Sequence, residues 1–315
     1  MAYQFPKCQI VPLPDQQVSF QVDGVERLRW NFNPNYPRPF FFPFNGPAGE
    51  CLTRMGHPGA PNHDHHRSVW FAHAKIDGED FWSDNSTARI RQKTWLAYAD
   101  GEDETIMATR VGWFAGSGRE LMEQELVAAI RPVSGSETLL ELQSTFTPTG
   151  NRVTLEQSNF GFLAVRLAKG IATHWGDGQI TSSEEVEGEE MLFGQSAAWM
   201  DYSGAVIKRE DSGRVAVTEG ITYFDHSANP GYPAHWHVRS DGWMGASLCR
   251  HEPIVINKAK PLRVRYLLHA HNGAVDPVAA HIVQQTFNAN PGFEVFASKR
   301  SHHQFEVHRK PASSE

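Results

Sequence analysis

Five histidines fall within residues 57–73, in the run His57-Pro-Gly-Ala-Pro-Asn-His63-Asp64-His65-His66-Arg67-Ser-Val-Trp70-Phe-Ala-His73. On extended chain His63 and His65 project to one side and His66 to the other. Neutral imidazoles so spaced can ligate a metal, and one beside Asp64 can be oriented and made more basic. Arg67 is suited to hold a carboxylate or a developing negative charge through its two-pronged guanidinium. The plainer alternative is a loop whose histidines cap turns and bond carbonyls. A second cluster follows at Asp225-His226-Ser-Ala-Asn229-Pro-Gly-Tyr232-Pro-Ala-His235-Trp236-His237-Val-Arg239, with Trp243 after it. There Asp225 can set the tautomer of His226, making an acid–base pair, or Asp225 and Asn229 can form an Asx turn before Pro230.

From these runs the expected catalytic groups are His63, His65, His66, Asp225 and His226. The expected substrate-binding groups are Arg54, Arg67, Trp70, His73, Arg166, Asn229, Trp236, His237 and Arg239. Arg166 enters because it ends the apolar run Phe162-Leu-Ala-Val-Arg166. Two His-x-His pairs, His63/His65 and His235/His237, supply the ligand set for a divalent metal should one be bound. No dedicated metal spacing such as His-Glu-x-x-His occurs, so no cofactor is expected. No Gly-x-Ser-x-Gly elbow is present, which disfavours acyl-enzyme chemistry.

The elements that must position these groups read mainly as strands. Val18, Phe20 and Val22 alternate with polar residues up to Asp23-Gly24, a tight hairpin signal. Leu28, Trp30 and Phe32 continue on the return strand. Asp77-Gly78 predicts another hairpin between Phe71-Ala72-His73 and Phe81-Trp82. Leu140, Leu142 and Phe146 alternate with Glu141, Gln143 and Thr145, as do Leu262, Val264, Tyr266 and Leu268 with Arg263, Arg265 and His269. Such alternation predicts antiparallel sheets with one solvated face. One helix is expected over Val278–Phe287, with Asp276 as cap and Pro277 at its first position. Residues 33–49 and 56–66 break the strand pattern and are expected to be ordered, aromatic-rich loops. The fold class is therefore all-β: a large antiparallel sandwich with one late helix. It forms a single domain over 1–315, with a core of about 15–300 and a frayed tail at 310–315.

Composition narrows the function classes. A chain of 315 residues buries roughly 75% of its unfolded surface and needs no disulfide or metal to fold. Its three cysteines cannot all pair, which suits a reducing compartment such as the cytoplasm. The net charge of −7 argues against nucleic acid as partner, and no apolar run is long enough to cross a membrane.

Several motifs together resemble a bacterial family of unknown function labelled "methane oxygenase PmoA". They are Arg38-Pro39-Phe40 with Phe42-Pro43, Thr53-Arg54, His63-Asp64-His65-His66-Arg67 with Trp70, and Asp80-Phe81-Trp82. Later come Trp199-Met-Asp201-Tyr202-Ser-Gly204, Asp225-His226 with Asn229-Pro230, and Trp236-His237-Val-Arg239. They span roughly residues 15–272. At 157–161 the chain departs from the pattern, which has an acidic or lysine-bearing turn before the arginine strand. The resemblance implies a sandwich of the kind shared by aldose 1-epimerases, where histidines and a carboxylate on a sheet handle a sugar ring.

The expected function is a carbohydrate-processing enzyme, a hydrolase, lyase or epimerase on a sugar or keto-sugar, using His/Asp acid–base chemistry. Its partner is a small sugar, with neither nucleic acid nor membrane. The alternatives are a non-catalytic carbohydrate-binding domain and a metal-dependent enzyme built on the His-x-His pairs.

Overall fold

The computed structural model describes residues 5–57, 59–60 and 63–311. The expected frayed tail lies, from residue 312 on, outside these. Two eight-stranded antiparallel sheets face each other. The first runs in the order β1 (Cys8–Leu13), β2 (Gln17–Val22), β3 (Val25–Asn31), β4 (Phe40–Phe44), β5 (Val69–Phe71), β11 (Leu163–Arg166), β16 (Trp243–Ser247) and β15 (His235–Arg239). The second runs β12 (Gln179–Ser182), β13 (Trp199–Glu210), β14 (Gly213–Asp225), β18 (Leu262–Asn272), β9 (Thr138–Pro148), β8 (Glu120–Pro132), β7 (Thr105–Phe114) and β6 (Arg89–Ala99). Two ribbons complete the strands: β10 (Arg152–Leu155) with β17 (Ile254–Asn257), and β19 (Phe293–Ala297) with β20 (Phe305–Arg309).

The β2–β3 hairpin turns where Asp-Gly predicts it, with Asp23 and Gly24 at φ 51° and 74°, the left-handed pair such a turn requires. The residues expected to alternate inward do so: Val18, Phe20, Leu28, Trp30, Leu140, Leu142, Phe146, Val264, Tyr266 and Leu268 share one core between the sheets. The late helix is α2 (Pro277–Ala289), and the Asp276 carboxylate accepts from Val278 N at 2.9 Å and Ala279 N at 3.2 Å. A four-residue helix, α1 (Glu189–Leu192), stands beside β15.

Three expectations need correction. The segment 33–49 is not a loop throughout, because β4 forms within it and its phenylalanines Phe41 and Phe44 join the core. Asp77-Gly78 makes a tight turn closed by an Ile76–Glu79 bridge and, further out, by Phe81 N donating to His73 O at 3.1 Å. The first flank is strand only to Phe71 in β5, and no strand forms at Phe81-Trp82, where the Asp80 carboxylate captures Trp82 N and Ser83 N at 2.7 and 3.1 Å and bends the chain away. Nor is the outer face of the second sheet solvated at its centre. There α2 covers Leu139, Trp199, Phe224 and Leu267, and the β19–β20 ribbon covers Ala108 and Val127. This cover buries charges that alternation had placed outside. Glu141 then accepts from Arg265 at 2.6 Å and from Arg309 at 2.7 Å, since a buried charge without a partner is costly.

Candidate functional site

Register decides what the outer face of the first sheet presents. Trp70 on β5 pairs with Ala164 on β11, Ala164 with Gly245 on β16, and Gly245 with His237 on β15. One step along, Arg166, Trp243 and Arg239 are paired in the same way. Because side chains alternate, both rows face away from the core. Trp70 and His237 flank the very small Ala164 and Gly245, and the Trp243 indole lies over Gly245. Trp70, Ala164 and Trp243 pack with Trp82 and Phe160 into a small apolar cluster separate from the main core.

The described loop residues before and after β5, up to Asp84, build the wall over this face. Met55 bridges Arg67, and Gly56 N donates to His66 O at 2.7 Å. His63 and His65 were expected on extended chain, but residues 63–66 make a tight turn in which His66 N donates to His63 O at 3.0 Å. The turn gathers the three rings on one side: His65–His66 centroids are 4.3 Å apart, His63–His66 5.0 Å and His63–His65 5.7 Å. His66 lies against Trp243 at 4.5 Å and stacks over Trp70 at 5.7 Å. The result is a cavity of about 510 Å³ lined by His63, His65, His66, Trp82, Phe160, Arg166, His237, Arg239, Asp241 and Trp243. That volume suits a small ligand.

Ion pairs fix the walls. Arg166, its side chain almost wholly buried, donates from Nη1 and Nη2 to Asp241 Oδ1 and Oδ2 at 2.7 and 2.9 Å. His57 donates from Nε2 to Asp241 Oδ2 at 2.9 Å, while its Nδ1 accepts from Gly59 N at 3.1 Å. His57 thus ties the histidine loop to the 239–242 turn through Nε2 and holds its own loop through Nδ1. Tyr202 on β13 supports that turn from below, donating to Ser240 O at 2.8 Å. Arg54 donates to Leu167 O at 2.9 Å, to Asp241 O at 2.8 Å and to Gly56 O, with its guanidinium over Trp175.

Burial and these neighbours set the charges. Although burial alone would raise it, the Arg166 guanidinium and His57 bring the Asp241 carboxyl down to about 2. Burial, with Arg239 and Arg250 nearby, lowers His237 to about 4. Burial, with Arg166 and the adjacent imidazoles, holds His66 far below the ordinary imidazole value. At neutral pH, then, His66 and His237 are uncharged and Asp241 is a carboxylate.

Of the residues expected at a site, His63, His65, His66, Arg166, His237 and Arg239 come together on this cavity, with Arg54 and Trp70 in its supporting layer. The others lie elsewhere. Arg67 grips Asp84 with both prongs, at 2.9 Å from Nη1, and crosses the Tyr36 ring. Arg38 holds the same carboxylate at 3.2 Å. His73 is buried and bonds Glu156 O at 2.8 Å. Trp236 points into the core, donating to Ala197 O at 2.9 Å against Tyr223, so it offers no face to a ligand. Trp70 offers none either, since it is buried beneath His66.

Asp225, His226 and Asn229 form a different cluster. Asp225 accepts from the Asn229 side chain at 2.7 Å and from Ala234 N at 3.0 Å; the expected Asx turn does not form, because Ser227 N donates to Asn288 Oδ1 at 3.0 Å instead. Burial raises its carboxyl to about 7. His226 Nε2 accepts from Arg265 Nη1 at 2.7 Å, and burial together with that cation lowers the imidazole to about 4. Asp225 therefore does not orient His226. The four-histidine metal set is not assembled, because His235 packs on His251 beside another cavity. Among the described residues no group of three or more His, Cys, Asp or Glu has metal-holding geometry.

Sequence reasoning named His57 only as a member of the histidine run and left Asp241, Trp82, Phe160 and Trp243 out of the expected site groups. Trp243 was within reach, since it keeps the phase of His235 and His237 through the hairpin.

The chain belongs to a family described as "Family of unknown function (DUF6807)", which matches residues 17–284. The match supports the expected uncharacterised family but does not carry the methane oxygenase label. No curated protein matches the chain. One matching solved structure, titled "Crystal Structure Analysis of HI1317", is 8% identical over 83% of this chain and 98% of its own, with a TM-score of 0.25.

Proposed function

We propose that the cavity on the outer face of the first sheet binds a sugar or keto-sugar ring and that the chain is a carbohydrate-processing enzyme working by imidazole acid–base chemistry. The observation that carries this reading is the convergence of four histidines and the Arg166–Asp241 pair on a cavity walled by Trp82, Trp243 and Phe160. Aromatic faces take the apolar face of a sugar ring, and fixed polar groups around them read its hydroxyls. His66 and His237, held in the neutral form, serve as hydrogen-bonding groups, because an imidazole so strongly depressed keeps a transferred proton poorly. Proton transfer then falls to His63 or His65, the half-buried members of the trio. The Arg166 N–H groups polarise the carboxylate turn on which the ligand rests.

The neutral state of His66 and His237 also favours the second reading, a domain that only binds carbohydrate. A cytoplasmic location belongs to the same proposal: Cys8, Cys51 and Cys249 are all unpaired thiols. No helix among the described residues is long and apolar enough to cross a membrane. The test is a panel of sugars and keto-sugars, followed by tryptophan fluorescence and by product formation. Saturable quenching that disappears in Trp82→Ala and Trp243→Ala, with turnover of at least one compound, is expected for the enzyme. Quenching without turnover selects the binding domain, and no response to any sugar overturns both.

A further inference from the structure

We propose that the part of the ligand entering this cavity is uncharged: a hydroxylated ring without phosphate, sulfate or carboxylate at its inner end. The inference rests on reading the cavity as a sugar site. An arginine-rich pocket invites the opposite conclusion, because arginine is the usual holder of phosphates and carboxylates. Here the Nη atoms of Arg166 and Arg54 are already committed, and Arg239 is engaged through Nε.

Arg166 is the buried cation of the cavity wall, and its two Nη atoms are both taken by the oxygens of Asp241 at 2.7 and 2.9 Å. That is the paired fork geometry an incoming carboxylate or phosphate would need. Asp241 is not a loose placeholder on the fork. His57 holds its Oδ2 at 2.9 Å, Arg54 holds its carbonyl at 2.8 Å, and Gly242 N closes the turn on Arg239 O at 3.1 Å.

The remaining arginines are engaged too. Arg239, the more exposed one lining the cavity, is 3.0 Å from Glu189 and lies over Phe193. Arg54 spends its donors on three carbonyl oxygens. Arg38 and Arg67 share Asp84 behind His65, whose carbonyl both bond, and neither lines the cavity. Among the described residues no lysine lines the cavity.

An anion at the inner end would therefore have to displace the Asp241 carboxylate from a formed pair, or lose its hydration against that charge, with the half-exposed Arg239 as the cation left to meet it. A hydroxyl faces neither cost, since it can donate to Asp241 and accept from a neutral imidazole. The Arg166–Asp241 pair thus acts as a polar wall that selects against charge, an unpaired-charge penalty built against the wrong ligand.

The experiment is calorimetric titration at pH 8, where an ordinary imidazole is neutral, and at low salt. The probes are the best-binding neutral hexose from the panel, its uronic acid, its 6-phosphate, and inorganic sulfate. For the wild type the neutral hexose is expected to bind at least about tenfold more tightly than either anionic form, and sulfate is expected not to bind at millimolar concentration. Asp241→Asn, which leaves the Arg166 fork open, is expected to shift the preference at least about tenfold toward the anionic forms and to bind sulfate. Binding of sulfate by the wild type in competition with the hexose, or equal or tighter binding of an anionic form, overturns the inference and leaves the sugar reading standing. Failure of every sugar to bind overturns the sugar reading instead. The sulfate arm on the wild type still decides the question of charge, and it needs no variant to fold.

Discussion

Replacing Asp241 with alanine removes the one carboxylate that pairs with Arg166 among the described residues and leaves a guanidinium in a side chain that is only 1% exposed. The magnitude follows from two directions. The Asp241 carboxyl falls from 3.8 to about 2 in the fold, which corresponds to about 2 kcal/mol of preferential stabilisation of the charged form. Breaking a buried pair by removing one partner costs about 3–5 kcal/mol, and the partial exposure of Asp241, 28%, places this case at the lower end. A loss of about 2–3 kcal/mol is expected, measured by urea denaturation at pH 7 with tryptophan fluorescence. Because the carboxyl is depressed, its contribution is complete above about pH 4 and fades as pH falls toward 2, so wild type and variant should converge there. Arg166→Ala in the Asp241→Ala background should restore part of the loss, since it removes the orphaned charge. A cost below about 0.5 kcal/mol at pH 7, or strictly additive single and double variants, would refute the pairing argument.

Trp236→Ala should cost about 3–5 kcal/mol, the usual range for emptying a large aromatic site in a core. Ligand affinity in the fraction that remains folded should be unchanged, as fluorescence titration would show; a specific affinity loss would put Trp236 at the site. Burial raises Asp225 to about 7, so its charged form destabilises the fold and its contribution declines as pH rises from about 4 to about 7. The stability of wild type relative to Asp225→Asn should fall across that window in denaturation at stepped pH, and a flat difference would contradict the burial argument. Arg67→Ala should lower stability through Asp84 while leaving ligand affinity within about twofold, and a tenfold affinity loss would return Arg67 to the cavity.

The strands were legible where one face is apolar, as at Val18-Phe20-Val22 and Leu262–Leu268, because period-two burial is a local property of the chain. The helix at 277–289 was legible for the same reason: its cap and its proline are local. What alternation cannot show is cover. Glu141 and Arg265 read as surface charges, yet they are buried because α2 and the β19–β20 ribbon fold back over them. Their pairing joins positions 124 residues apart. The site shows the same division. His63, His65 and His66 were found by composition, although a turn rather than extended chain gathers them. The Arg166–Asp241 pair joins residues 75 apart, and Asp241-Gly242 reads only as a turn. Trp236, expected at the ligand, lies in the core while Trp243 lines the cavity, a difference of strand face that the phase of the two His-x-His positions makes readable.

The most direct measurement compares turnover of the best panel substrate by His63→Ala, His65→Ala and His226→Gln proteins. With proton transfer at the outer-face cavity, at least one of the first two should lose about 100-fold or more in kcat/KM. His226→Gln, placed against Arg265 behind α2, should stay within about twofold. Full activity in both His63→Ala and His65→Ala, or its loss in His226→Gln, would put the chemistry at the Asp225–His226 cluster and contradict the site described above.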